Sequence, residues 1–344
     1  MIDAPHNRGT EVATWEKVRF LSSPEAYPGR PPVTVTETHM SWVFLAGDLV
    51  YKFKKPVRYP FLDFTSLDKR ERHCEAELTL NRRLAPRVYR RLVALRLTHG
   101  GRLTLGGEGE PVEWLIEMER LSAVDMLDRR IKAGDVSTDA AVAIGDKLGA
   151  FYASARPERR RGRAYIEHLL AETAVNRKIL LREGCLVRPE RAERIVGRVE
   201  RLLEAQAPAI NERIADGLII EGHGDLRPEH IHLGNGLDII DCLEFDRNMR
   251  LLDPYDEVNY LGLECEFLGA GWIRPILLEV VDDHLAARPA PRLMATYGAF
   301  RAVLRARICI AHLLDPEPME PERWPAEAER YLDVAERECA RAEG

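Results

Sequence analysis

Glu221-Gly-His-Gly-Asp-Leu-Arg-Pro-Glu-His-Ile-His-Leu233 is followed, after a Gly/Asn turn, by Leu237-Asp-Ile-Ile-Asp-Cys-Leu-Glu-Phe-Asp246. A polar cluster is set between two apolar runs, and a further acid, Asp241, comes directly after the second run. An acid on a loop can take the proton of an attacking hydroxyl, and an acid at a strand end can hold a divalent ion beside phosphate oxygens. Asp225 and Asp241 together therefore have the pattern of a phosphoryl-transfer site. Either acid alone reads as a cap on a turn or helix, so the reading rests on the pair and its surroundings.

The 344 residues, 45% of them hydrophobic, are enough to bury a core in each of two lobes. The net charge of −6 gives nucleic acid or an anionic membrane no electrostatic reason to bind. No apolar run has the length of a membrane span, and Met1 to Arg8 lacks the apolar core of a signal peptide. The six cysteines are scattered without a Cys-x-x-Cys pair and read as buried, reduced thiols of a cytoplasmic protein. The basic run Arg156-Pro-Glu-Arg-Arg-Arg-Gly-Arg163 reads as a solvated loop.

A helix over Val12–Leu21 and a Pro/Gly-rich lead-in account for residues 1–30. Strand patterns follow at Val33-Thr-Val-Thr-Glu-Thr, Ser41-Trp-Val-Phe-Leu and Leu49-Val-Tyr-Lys-Phe, the last two joined by a turn at Ala46-Gly-Asp48. A helix is expected from Ser66, its N-cap, to Leu84, with Leu67, Cys74, Leu78 and Leu84 as its apolar positions. Three further strands lie between Val88 and Glu119. After Leu121 the pattern is helical: Val124–Ala133, Thr138–Ala155, Tyr165–Glu183, Pro189–Ala205, Pro254–Leu268, Trp272–Leu285, Pro291–Leu314 and Ala326–Ala342, interrupted by a hairpin at 219–242. The expectation is an α+β chain. Residues 31–119 form a small antiparallel-sheet lobe carrying one main helix, and residues 120–344 form a larger helical lobe.

Five blocks resemble the aminoglycoside phosphotransferase family of the protein-kinase-like superfamily, and more narrowly an uncharacterised bacterial branch of kinases of that type. They are Glu37-Thr-His-Met-Ser-Trp-Val-Phe-Leu, Val50-Tyr-Lys-Phe-Lys-Lys-Pro-Val57, Leu80-Asn-Arg-Arg-Leu-Ala-Pro86, His223-Gly-Asp-Leu-Arg-Pro-Glu-His230 and Ile240-Asp-Cys-Leu-Glu-Phe245. The resemblance runs from about residue 15 to about residue 315 and implies a bilobal protein-kinase-like fold. It implies ATP and Mg²⁺ as cofactors, with Mn²⁺ as the alternative ion, and a small-molecule hydroxyl as acceptor.

Residue by residue, the resemblance makes Asp225 the catalytic carboxylate and Asp241 the metal-holding acid, with Glu244 as a further metal ligand. Lys52 takes the place of the lysine on the α/β-phosphates. Lys54 shares its face of the strand, so spacing leaves both open, while Lys55 lies on the other face. Glu77 is the expected helix partner because it lies seven residues before Leu84, with Glu75 as the alternative. No Gly-x-Gly-x-x-Gly loop is present; Thr38-His-Met-Ser41 stands where it belongs, giving Ser41 a phosphate-binding role or that of an ordinary turn residue. Ile116-Glu-Met-Glu-Arg-Leu121 resembles the hinge that meets adenine, with Met118 at its centre. His230 replaces the usual Asn five residues after the catalytic Asp. It either binds metal or leaves the metal shell to hydrogen-bond Asp225 or a phosphate. Arg301 and Arg305 share a helix face and either pair with acids such as Glu264 and Glu266 or line the acceptor pocket. Two other activities fit the same blocks: a pseudokinase that binds nucleotide without turnover, and a nucleotidyl transferase.

Overall fold

The computed structural model describes residues 12–59, 62–158, 162–182, 187–314 and 320–344. In chain order the first elements are α1 (Thr14–Leu21), β1 (Val33–Glu37), β2 (Ser41–Ala46), β3 (Leu49–Lys54), the two-residue strands β4 (Arg58–Tyr59) and β5 (Leu62–Asp63), α2 (Leu67–Asn81), β6 (Tyr89–Leu97), β7 (Leu103–Leu105) and β8 (Glu110–Glu119). There follow α3 (Leu127–Ala133), α4 (Thr138–Ser154), α5 (Gly162–Leu180), α6 (Pro189–Ala215), β9 (Ile220–Glu221), β10 (Ile231–His232), β11 (Asp238–Ile239), β12 (Leu251–Leu252), α7 (Pro254–Phe267), α8 (Ile273–Leu285), α9 (Pro291–His312) and α10 (Arg323–Glu343). The expected α+β content is therefore present. Two compact units emerge: Met1–Asp125 with Gly234–Asp246, and Met126–Leu233 with Arg247–Gly344. The segment carrying Asp241 and Glu244 thus groups with the sheet.

The first unit is built on one six-stranded sheet in the order β1-β2-β3-β8-β6-β7, with every neighbouring pair antiparallel. Alternation along β3 explains its two faces. Tyr51 and Phe53 join Leu21, Tyr27, Phe44, Leu95 and Leu115 in one apolar cluster. Lys52, opposite Ile116 on β8, is left for the other face, where Cys74, Ala85, Val88, Tyr89 and Ile116 form a second cluster.

Helix α2 covers that second face, but with a different stripe from the one expected. Leu67 and Leu78 are only partly buried. The fully buried positions within the helix are Arg70, Cys74, Glu77 and Asn81, which recur at the four-three spacing of a helix face. Ser66 is the N-cap, its Oγ accepting from Lys69 N at 3.4 Å, while the helix ends at Asn81 rather than Leu84. The polar stripe is tolerable because each member finds a partner. Arg70 donates through Nε and Nη2 to Glu113 at 2.7 and 2.8 Å, and Lys17 Nζ donates to the same carboxylate at 2.9 Å. That buried cluster fastens α1, α2 and β8 together.

The second unit has a core of α5, α6, α9 and α10 side chains, including Ile195, Val199, Leu203, Tyr297, Val303 and Leu332. Helix α6 runs through Pro208 to Ala215, ten residues beyond the expected end at Ala205. Proline disfavours a helix interior by about 3 kcal/mol. Here Leu202 and Leu203 before it and Ile210 and Ile214 after it bury into the same core, so packing outweighs that penalty. Helix α5 ends at Leu180, and the expected end at Glu183 lies outside the described residues, as does Cys185. The expected hairpin at 219–242 is corrected for its first strand: β9 pairs antiparallel with β12, in the register Glu221–Leu251 and Ile220–Leu252. This pairing brings the start of the polar loop beside the N-terminus of α7. Among the described residues no helix is long and apolar enough to cross a membrane.

Candidate active site

Five of the expected residues, Lys52, Lys54, Glu77, Asp241 and Glu244, meet within the first unit. Lys52 Nζ donates to Glu77 Oε1 at 2.8 Å and to Asp241 Oδ1 at 3.2 Å. Lys54 Nζ donates to Glu77 Oε2 and to Glu244 Oε1, each at 2.5 Å. The choice between the two lysines therefore resolves into a shared partner: Glu77 gives one oxygen to each. Glu75 is exposed and takes no part. Burial works against the Lys52 ammonium, but Asp241, Glu77 and Glu244 outweigh it and hold its pKa well above the ordinary lysine range. Burial likewise pushes Glu77 up, yet the two lysines bring it below the usual carboxylate value. Glu244 goes the other way: burial dominates and raises it despite Lys54.

Asp241 is presented by strained backbone. Its φ is +62°, a left-handed conformation that residues other than glycine seldom adopt. Two side chains hold it there. Asp241 N donates to the Tyr89 hydroxyl at 3.2 Å, and Cys242 N donates to Asn81 Oδ1 at 2.9 Å. Asn81 is itself fixed by donating to Glu77 O at 2.9 Å. Tyr89 and Asn81 were not read from the sequence as site residues. Asn81 stands four residues after Glu77, one helical turn on, which is the signal that was available.

No three acids, histidines or cysteines gather into a metal cage among the described residues. Mg²⁺ characteristically takes one or two carboxylates and completes its shell with phosphate oxygens and water, so a cage is not required. Asp241, with half its side-chain surface exposed, fits that donor set. Glu244 is 10% exposed and engaged by Lys54, so its carboxylate faces an ammonium as well as any ion.

Ser41 is buried at the start of β2. Its N–H donates to Thr38 Oγ1 at 3.0 Å, and its carbonyl accepts from Thr38 N at 2.8 Å. The Thr38–Ser41 turn is thus closed on itself. Met118 lies on β8, flanked by Val50 and Tyr89 on the neighbouring strands. It packs with Leu121 and Ile240 around the second apolar cluster.

The polar loop in the second unit is organised by a residue that motif reading missed. Glu257 on α7 is 1% exposed. Its carboxylate accepts from His223 N at 3.0 and 3.1 Å, from Gly224 N at 2.6 Å and from the Tyr152 hydroxyl at 2.8 Å. Two glycines make the approach feasible. A Cβ on Gly222 would lie 2.7 Å from Glu257 Oε2, and Gly224 has φ +91°. Sequence offered only Asp253 to Glu257 as acids at a helix start, where capping suffices to explain them.

Asp225 follows directly. Its N–H donates to His223 Nδ1 at 3.3 Å, and the Tyr260 hydroxyl donates to its Oδ1 at 3.4 Å. Burial raises its pKa, but the positive potential of His230, Arg227, Arg305 and His223 prevails and leaves it below the ordinary aspartate value. Asp225 is therefore ionised at neutral pH and able to accept a proton. His230 Nδ1 donates to Asp225 O at 2.8 Å. Since a carbonyl only accepts, that nitrogen carries hydrogen. His230 therefore meets Asp225 through the main chain. On α9, Arg301 pairs with Asp256 at 2.6 Å rather than with Glu264 or Glu266, and Arg305 lies 3.5 Å from Glu264.

No known protein-family profile matches the chain. Uncharacterised proteins of Mycobacterium tuberculosis and Mycobacterium bovis are 31% identical to it over 323 residues, 90% of this chain. The chain spans about three fifths of the length of these curated relatives, 61%. A choline/ethanolamine kinase family protein from Mesorhizobium loti superposes with a TM-score of 0.54 at 15% identity, over 96% of this chain and 99% of that one. The chain has the protein-kinase-like fold. Choline kinase LicA from Streptococcus pneumoniae gives the same TM-score, 0.54, at 15% identity over 95% and 99% of the two chains. At such identities the likeness speaks for architecture alone, and the chemistry has to be argued from the side chains.

Proposed function

We propose that this protein is an ATP- and Mg²⁺-dependent phosphotransferase that moves the γ-phosphoryl group to a hydroxyl of a small molecule. The observation that carries the reading is the Lys52–Glu77–Asp241 chain of ion pairs at 2.8 and 3.2 Å within the sheet unit. A lysine oriented by a buried glutamate and placed beside an exposed acid is what a nucleotide triphosphate and its ion require. A choline kinase of the same fold has been crystallised with AMP, which agrees with nucleotide binding by this architecture.

In this reading Lys52, held by Glu77, neutralises phosphate oxygens, and Asp241 holds the Mg²⁺ that balances charge on the triphosphate. Ser41 adds a hydroxyl at the phosphate turn, and Met118 offers an apolar surface to the base. Asp225, ionised and steadied by Glu257 through the loop backbone, orients the acceptor hydroxyl and takes its proton. Positioning and charge neutralisation supply the catalysis. The free, buried cysteines among the described residues suit the reducing cytoplasm in which we place the protein.

The test is an ADP-release screen over sugars, amino alcohols, hydroxy acids and nucleosides with Mg²⁺ present, run beside Asp225→Asn. A positioned acid/base group is worth roughly 10²–10⁴ in rate, so turnover should fall by that factor while nucleotide binding persists. Pyrophosphate instead of ADP as product would replace the phosphotransferase with a nucleotidyl transferase. Wild-type turnover in Asp225→Asn would remove Asp225 from the mechanism.

A further inference from the structure

Around Asp225, within the second unit, stand two arginines that the reaction as described does not use. Arg305 on α9 is 7% exposed. Arg227 follows Asp225 by two residues on the same loop, with 20% of its side chain exposed. Both contribute to lowering the Asp225 pKa. Each reaches Glu264 only at 3.5 Å, Arg227 Nε towards Oε2 and Arg305 Nε towards Oε1. These are contacts of charge. Neither Nε has a hydrogen-bond partner among the described residues. Glu264 meanwhile accepts from the Tyr331 hydroxyl at 3.1 Å, and Glu229 engages Arg227 at a terminal nitrogen. Arg305 also hydrogen-bonds the Tyr331 hydroxyl, yet of the ten N–H donors that two guanidinium groups carry the two carboxylates and this phenol engage few. A buried donor without an acceptor is costly, so an oxyanion arriving here would satisfy groups that the protein leaves wanting.

The aromatic faces point the same way. A cationic acceptor such as a quaternary ammonium is recognised over the faces of aromatic rings. Here the Tyr260 ring carries Arg301 at 5.2 Å and the Tyr331 ring carries Arg305 at 5.3 Å. Tyr260, Glu264, Arg305 and Tyr331 also border one small cavity, where both rings already carry one of the protein's own cations.

We propose that the acceptor is a hydroxylated anion, carrying a carboxylate or phosphate that Arg227 and Arg305 bind while Asp225 receives its hydroxyl. The inference rests on the phosphotransferase reading for the hydroxyl, but the anion site stands or falls by itself. Arg227 makes the first contact because it is the more exposed of the two, and Arg305 supplies the second fork from behind. Planar, bidentate recognition of an oxyanion is what arginine provides and lysine does not.

The experiment titrates sulfate, acetate and tetramethylammonium into the full chain at constant ionic strength without nucleotide, following the melting temperature. The parent protein should be stabilised saturably by sulfate or acetate and not by tetramethylammonium, sulfate favouring a phosphate group and acetate a carboxylate. Arg227→Gln should weaken the anion's apparent affinity about ten- to a hundredfold, the weight of lost charged hydrogen bonds, and Arg305→Gln should act alike. Lys52→Ala should leave the response intact, which separates this site from the nucleotide phosphates. A response lost in Lys52→Ala but kept in Arg227→Gln overturns the proposal, as does stabilisation by tetramethylammonium alone, or no anion response at all. An Arg227-dependent response in a protein that never releases ADP with any acceptor would instead overturn the phosphotransferase reading and leave the anion site standing.

Discussion

Replacing Glu257 by Gln tests how the acidic loop is held, with little change of shape. The carboxylate receives two backbone N–H groups and one phenol. In the variant the amide oxygen keeps the His223 and Gly224 N–H groups, the amide nitrogen turns to Tyr152, and that hydroxyl rotates to accept. What is lost is charge. A hydrogen bond to a charged group contributes about 1.5–3 kcal/mol and a neutral one about 0.5–1.5, so two backbone bonds lose roughly 2–3 kcal/mol together. At about 1.36 kcal/mol per factor of ten, local opening of the loop should become about 30- to 150-fold more frequent. Hydrogen exchange at the His223 and Gly224 amides reads this directly, without requiring the two units to unfold as one. Tyr152→Phe removes a single donor and should accelerate the same amides less than tenfold. Unchanged exchange in Glu257→Gln, or an equal effect of Tyr152→Phe, would show that the loop is held by something other than this carboxylate.

Glu113→Ala strips Lys17 and Arg70 of their common buried partner; breaking such a cluster costs about 3–5 kcal/mol, visible as a lowered urea midpoint. Saturating ATP with Mg²⁺ should stabilise the protein by about 2.7 kcal/mol at a hundred times the dissociation constant. That gain should shrink in both Lys52→Ala and Asp241→Ala. Lys54→Met should instead lower stability without ligand, by leaving Glu244 buried without its ammonium; a Lys54→Met protein that melts like its parent but ignores ATP would exchange the roles of the two lysines. The Asp225 pKa is lower in the folded than in the unfolded chain. Its ionisation therefore contributes stability in full above the unfolded value near pH 3.9, and that contribution is lost as pH falls through the folded value. Thermal melts of the parent and Asp225→Asn from pH 7 to pH 3 should converge at the acid end, and a gap that widens there contradicts the assignment.

An antiparallel sheet was legible because strand-like runs recur between Val33 and Glu119 and a Gly-Asp turn joins β2 to β3, whereas the order β1-β2-β3-β8-β6-β7 was not. Helix α2 was legible at its start, where Ser66 caps it, but neither its end nor its orientation was. Its buried face is Arg70, Cys74, Glu77 and Asn81, and a polar stripe has no hydrophobic period to detect. The two lysines stayed tied for a related reason. A period of two places Lys52 and Lys54 on one face, and only the placement of Glu77 between them shows that both are used. Asp225 and Asp241 stand out in the sequence because short-range spacing marks them. Glu257, Tyr260 and Arg305 act on the same loop from 32 to 80 positions further along the chain, and nothing local to Asp225 announces them.

The left-handed backbone at Asp241 has a practical consequence. After glycine, asparagine and aspartate are the residues most at ease in that conformation. Asp241→Asn therefore removes the negative charge while keeping the geometry that Tyr89 and Asn81 impose on residue 241. Shape and charge are separable there, as they are not at buried Glu77, where the carboxylate balances two ammonium groups. Under the proposed metal role of Asp241, Asp241→Asn should stop turnover while leaving Asp225, Arg227 and Arg305 unaltered, and so offer a bait with which to fish the natural acceptor from a metabolite extract.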